Sequence, residues 1–330
     1  YQPAGELCAR GDVVKKGFRA EQGLSLVELL ISTAIGMIVI AAGARLYVDA
    51  RLNSQIQSDL EGIQQNARFA IDLLSRDIRR AGYLAGSINR RSIGGTAARI
   101  PDGTCPTASG AWGAMVQRPI FGLDDQSGSY VCITDDDYLR GDVLTLRYAA
   151  SMPFGQTPSP DELLIRSSPT EAAVFTGKSE SDPDNAVHGS PVLLRKLVSH
   201  AYYIRPSGII VCPDGSRPPS LYREQLDRNG RPVAEELATG IEQLQVMFGV
   251  GINADGSTGR FIDASAMSEA DWERVQRVRF WILARQECAH GHFHDPHESY
   301  VMGNMTYHTP AAERGLRRML FARTISVRNR

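Results

Sequence analysis

The chain has 330 residues, 42% apolar and 22% charged, an ordinary globular composition whose length suits about two structural units. Lys and Arg total 36 against 37 for Asp and Glu, a net charge of −1. That balance excludes electrostatic binding to nucleic acid or a membrane surface as the default role, because such proteins carry a basic excess.

Membrane-compatible sequence is confined to one block, LSLVELLISTAIGMIVIAAGA, from Leu24 to Ala44, with Glu28 its single charge. About 20 apolar residues span a hydrocarbon core of roughly 30 Å, so the block is long enough for a transmembrane helix. Lys15, Lys16 and Arg19 precede it, which by the positive-inside rule keeps the N-terminus cytoplasmic and places everything from Arg45 on across the membrane. Cys105, Cys132, Cys212 and Cys288 then fall on the translocated side, where disulfides form. Four cysteines allow three connectivities. Nearest-neighbour pairing, Cys105 with Cys132 and Cys212 with Cys288, is the expectation, and the absence of any C-x-x-C pair argues against zinc or redox chemistry.

The helical signal continues past the block. Leu52, Ile56, Leu60, Ile63, Ala67, Ala70, Leu74 and Ile78 recur at steps of three and four, an amphipathic stripe, and Arg79, Arg80 and Gly82 form a helix end. One helix of roughly 55 residues, on the order of 80 Å, is predicted, its first half in lipid and its second packed on something. Residues 83–140 have no sustained period and read as an irregular excursion pinned by cysteines.

Period-two patterns follow. Leu144, Leu146 and Tyr148 alternate with Thr145 and Arg147; residues 201–212 suggest two strands about a Pro206-Ser207-Gly208 turn. Leu244, Val246, Phe248 and Val250 form one face of a further strand, and Val278, Phe280, Ile282 and Ala284 one face of another. Ser268 is placed to cap a short helix, and the tail offers a strand with Ile325 and Val327 inward. The expected fold class is α+β: one long N-terminal helix packed on an antiparallel sheet of one-sided strands.

Three readings compete for the apolar block. A plain signal-anchor satisfies hydropathy alone, and a cleaved secretory signal would use Ala42-Gly43-Ala44. The third rests on Glu21-Gln22-Gly23-Leu24-Ser25-Leu26-Val27-Glu28, in which Gly23 precedes the apolar run and a lone Glu lies five residues beyond it. This string resembles the prepilin signal of type IV pilins. The strings QQNARFAIDLLSRDIRRAGYLAG (64–86), SLYRE (220–224), GIEQLQVMFGVGINADG (240–256), RVQRVRFWILARQE (274–287) and FARTISVRNR (321–330) are similar to the PilW family of minor pilins.

The resemblance implies a leader over 1–23, an assembly half of the helix over 24–48, its amphipathic half over 49–82 and a globular domain over 83–330. It implies cleavage between Gly23 and Leu24 by a prepilin peptidase, N-methylation of Leu24, and a role for Glu28 in assembly. It also implies passage through the inner membrane, with the globular domain periplasmic, before the pilus at the cell surface. The partners implied are other minor and major pilins, with a tip adhesin as a further one. Minor pseudopilins of type II secretion are the alternative within this class. No cofactor and no enzymatic activity are expected.

A different class is a membrane-anchored periplasmic metal protein. His290, His292, His294 and His297 cluster with Asp295 and Glu298. Their alternate spacing in a Gly- and Pro-containing loop favours a solvated loop, because no H-E-x-x-H helix sets two ligands on one face. Asp135-Asp136-Asp137 and Asn253-Ala254-Asp255-Gly256-Ser257 hint at calcium but lack EF-hand spacing, so turn chemistry explains them better. Arg314, Arg317, Arg318, Arg323, Arg328 and Arg330 read as solvated strand edges, since no aromatic platform for nucleic acid is interleaved.

Overall fold

The structure, a computed structural model, describes residues 25–86, 93–98, 110–127, 133, 137–252, 258–289, 293 and 295–328. The chain divides into two compact units, Tyr1–Ile56 and Gln57–Arg330. A helix, α1 (Leu26–Arg80), begins in the first and ends in the second. It holds no proline, and its end is chemically defined: Gly82 takes the left-handed conformation (φ 77°) that L side chains avoid. There the Gly82 N–H donates to the Arg147 carbonyl at 2.9 Å and the Ala149 N–H to that of Tyr83 at 2.7 Å, stitching the helix exit to a strand.

In the first unit the apolar residues of α1, Leu26 through Val48, face outward. In the second, Ile63, Ala67, Ala70, Ile71, Leu74 and Ile78 are buried. The predicted stripe is therefore an inward face only from Ile63 on: Leu60 is half-buried and Leu52 exposed. Two alanines at the contact let the helix backbone come close to the strands.

The second unit has an eight-stranded sheet with the path β1 (Ile93–Gly94), β5 (Ala172–Thr176), β4 (Leu163–Ser167), β6 (Leu193–Pro206), β3 (Arg140–Ala149) and β2 (Ile120–Leu123). From β6 it branches to β7 (Pro219–Leu226) and β8 (Pro232–Thr239). A four-stranded sheet runs β10 (Thr258–Asp263), β9 (Ile241–Ile252), β11 (Val275–Arg285) and β14 (Arg318–Ser326). A hairpin of β12 (Ser299–Met302) and β13 (Met305–His308) adds a small cluster with Leu283 and Trp281. Among the described residues all ladders are antiparallel except β1 on β5. The α+β class read from the sequence is the observed one.

One core takes side chains from α1 and both larger sheets, including Leu74, Ile78, Leu144, Tyr202, Phe248 and Phe280. The sheets meet at Gly141-Asp142. The Asp142 carboxylate accepts the Val246 N–H at 2.6 Å, and a Cβ on Gly141 (φ +81°) would stand 2.8 Å from the Leu244 carbonyl oxygen. A short helix, α2 (Glu269–Trp272), is capped by Ser268 as expected and sets Trp272 against Phe121 (4.7 Å) and Phe248 (4.8 Å).

Several expectations need correction. β3 is not one-sided: Thr145 and Arg147 are buried as deeply as Leu144 and Leu146. A turn at Gly110–Ala114 and β2 cover that second face, where Arg147 donates to the Trp112 and Arg118 carbonyls, each at 2.7 Å. Residues 83–140 thus contain regular structure. Residues 209–212 form no strand; Ser207 Oγ accepts the Ile209 and Ile210 N–H groups, holding a loop until β7 begins at Pro219. The tail strand runs from Arg318 to Ser326, and Ile325 within it and Val327 just beyond it are inward as expected.

Candidate functional site

The first candidate region is the start of α1. An 18-residue window reaches a mean hydropathy of 2.2 with none of it buried, so the helix is long and apolar enough to cross a membrane. Glu28 lies in its first turn, where the positive end of the helix dipole favours a carboxylate. Gly23 and Leu24 lie outside the described residues.

The second is a polar cluster where α1 meets β3 and β6. Asp77 is buried and its carboxylate accepts three hydrogen bonds: from His200 Nδ1 at 2.6 Å, Tyr202 OH at 2.5 Å and Tyr148 OH at 2.9 Å. Burial pushes the Asp77 pKa up, but the bonds from His200, Tyr202 and Tyr148 outweigh it and hold the pKa below the ordinary carboxylate value. Burial also pushes the His200 imidazole down, against the pull of Asp77. The pair is an ionised carboxylate with a neutral imidazole donating from Nδ1. An acid–base pair of this kind does catalytic work beside a nucleophile or substrate group; the groups bonded to Asp77 are the imidazole and two phenols, and Arg76, Arg80 and Arg223 line the open cleft beside it. Sequence reading missed Asp77, because it reads as one more polar residue on a charged helix face.

A third cluster is ionic. Glu242, fully buried on β9, receives two hydrogen bonds from Arg318 on β14, Nε at 2.6 Å and Nη2 at 3.0 Å, and a third from Tyr307 OH at 2.9 Å. Burial works against the carboxylate, but the Arg318 guanidinium holds its pKa below the ordinary value. Arg318 also donates to the Glu313 and Leu316 carbonyls and approaches Asp295 at 3.6 Å. The network ties the 295–318 segment and the β12–β13 hairpin to the four-stranded sheet. Arg318 is accordingly no solvated edge, as the sequence had suggested; it is the most enclosed cation of that basic run.

Among the other expected residues, Cys212 and Cys288 form a disulfide, with Cα atoms 5.5 Å apart. Cys105 and Cys132 lie outside the described residues, as do His290, His292 and His294, Asp135 and Asp136, the 253–257 turn, and Arg330. His297 is exposed, with its ring 3.4 Å from Asp295, and Glu298 pairs with Arg314 at 3.1 Å. Among the described residues no group of His, Cys, Asp and Glu is placed to hold a metal ion. Asp137 pairs with Arg205 at 2.7 Å. Arg317 stacks on Phe293, 3.8 Å from its centroid, while Arg323 and Arg328 are exposed.

A long helix, apolar at its start and packed on antiparallel sheets in its second half, defines the class: a type IV pilin-like α+β protein. Two families match parts of the chain. Residues 201–329, from within β6 to beyond β14, match the family of type IV pilus-assembly protein W. Residues 18–44 match the prokaryotic N-terminal methylation motif. Neither a curated protein nor a solved structure matches the chain.

Proposed function

We propose that the protein is a structural minor subunit of a type IV pilus. In this reading a prepilin peptidase cuts between Gly23 and Leu24, Leu24 is N-methylated, and the apolar start of α1 holds the subunit in the inner membrane with its globular unit periplasmic. The subunit then joins other pilins near the fibre tip and helps prime assembly. The observation that carries this is the presence of the methylation motif and the PilW-family domain on one chain. A helix unbroken through Ala42-Gly43-Ala44 supports cleavage before it over a secretory cut within it.

N-terminal peptide mass analysis of protein taken from its own cells tests the reading. A chain beginning at methylated Leu24 is expected. One beginning at Arg45, or left uncut, overturns it.

A further inference from the structure

Residues 314–330 carry six arginines and no aspartate or glutamate, and β14 runs through them as the last strand of its sheet. Its register with β11 is unbroken from Arg318 to Ser326. Two bonds fix which way its backbone points: the Val327 N–H donates to the Gln276 carbonyl at 2.8 Å, and the Gln286 N–H to the Arg317 carbonyl at 2.9 Å. Odd-numbered residues therefore face β11, and the N–H and C=O groups of Leu320, Ala322, Thr324 and Ser326 face away from it. All four residues are exposed, and among the described residues nothing pairs with their backbone groups on that side. Other sheet edges are guarded: β8 opens with Pro232 and carries Glu235 and Glu236, and β2 has only four residues. The β14 edge has nine residues, no proline and no bulge.

We propose that the β14 edge takes an extended acidic segment of another polypeptide as an added strand. Main-chain bonds to Leu320, Ala322, Thr324 and Ser326 hold it in register. Charge chooses the partner. Glu242 neutralises Arg318 and Glu298 pairs with Arg314, whereas Arg323 and Arg328, both exposed, have no carboxylate partner among the described residues. A basic strand, including β14 of a second copy, meets like charge there. An acidic one finds cations beside its backbone bonds. The edge lies in the globular unit, so the proposal depends neither on N-terminal processing nor on the pilus role.

The test uses the full chain in a maltoside detergent at near-physiological salt. The probe is a capped peptide as long as β14 that alternates valine with glutamate; its counterpart carries lysine in place of glutamate. Saturable binding of the glutamate peptide is expected, about tenfold tighter than that of the lysine peptide. Residue-resolved hydrogen exchange should show the Leu320, Ala322, Thr324 and Ser326 amides fast in the free chain and slowed by the peptide, with Phe321 and Arg323 slow in both. Ala322→Pro removes only an outward N–H, so it should fold as the parent does and bind about tenfold more weakly. Arg323→Glu should reverse the preference between the two peptides, and this exposed change decides the matter if the proline lowers the unfolding midpoint. No saturable binding of the glutamate peptide at millimolar concentration overturns the proposal. So do equal binding of both peptides, even-numbered amides that stay fast, or equally tight binding of a single-stranded oligonucleotide, which would mean a general basic surface. Slow even-numbered amides in a self-associating free chain would give the edge to a second copy, and overturn it as well.

Discussion

Asp77 on α1 and His200 on β6 meet at 2.6 Å across 123 residues of sequence, beside a core that holds Leu74, Ile78, Leu144 and Tyr202. Truncating one partner of a buried pair leaves the other groups desolvated and unanswered. Asp77→Ala strands two phenols and an imidazole at once, and is expected to cost about 3–5 kcal/mol. Asp77→Asn keeps an acceptor and should cost about 1–2 kcal/mol. Urea unfolding of both variants checks the order, and equal costs would refute it.

The same pair sets a pH dependence. Both groups have folded pKa values below their ordinary ones, 3.8 for Asp77 and 6.5 for His200, so the unfolded chain binds protons more readily than the folded one. Their contribution is present above pH 6.5 and falls on acidification, first as the unfolded chain's His200 takes a proton, then through the carboxylate range. His200→Gln should make the first part of that fall shallower. An unaltered slope between neutral and mildly acid pH would count against a neutral buried imidazole.

Asp142 has the opposite sign. Burial pushes its carboxyl up to about 8 despite the hydrogen bonds it accepts from Val246 and Asp125. A raised pKa means stability present below the ordinary value of 3.8 and lost as pH climbs through about 8. Asp142→Asn removes this titration while leaving one acceptor oxygen, so its cost should shrink as pH rises. Unfolding midpoints of parent and variant at mildly acid and mildly alkaline pH give the comparison; a cost that grows with pH would show that Asp142 is ionised in the fold.

What the sequence could and could not reveal follows from the range of the interactions. The inward stripe of α1 from Ile63 on, the Gly82 end, the Ser268 cap and the alternation of β11 from Val278 to Ile282 are local patterns, and each is legible; β9 is not one-sided, because Gln243 and Gln245 are as buried as Leu244 and Val246. β3 misled because its covering segment, Gly110–Leu123, carries no period, so Arg147 reads as solvated when it is wholly enclosed. Ile209-Ile210-Val211 reads as a strand by composition, yet the Ser207 hydroxyl turns the backbone there and Ile209 stays exposed. β8 is hard to read because its exposed run, Val233-Ala234-Glu235, has no alternation. The Asp77 cluster and the Glu242–Arg318 pair depend on partners far along the chain, which no spacing rule reaches.

The Cys212–Cys288 disulfide closes a loop with a separation of 76 residues. Loop-closure entropy gives a stabilisation of roughly 4 kcal/mol for a loop of that length, as an upper value. Replacing both cysteines by alanine should lower the unfolding midpoint markedly, and in the parent Cys212 and Cys288 should resist alkylation until a reductant is added. A parent that alkylates at Cys212 without a reductant would contradict the bridge.

The final expectation separates membrane insertion from assembly at Glu28. Leu, Ile and Val residues favour insertion by about 0.3–0.6 kcal/mol each, whereas a carboxylate opposes it, by roughly 3 kcal/mol at the helix centre and by less in the first turn, where Glu28 lies. Glu28→Val therefore deepens the membrane well, and the variant should still insert and be processed. What it loses is a charge that costs energy in an apolar environment unless paired. Under the proposed processing, the amine freed at Leu24 is the natural partner, on the same or a neighbouring helix. Glu28→Val should then fail to co-purify with other pilins and leave cells short of fibres, while Glu28→Asp, keeping the charge on a shorter stem, should be partly active. Normal assembly of Glu28→Val would show that the carboxylate is merely tolerated. Failure at insertion instead would mean that the energy balance across the bilayer has the opposite sign.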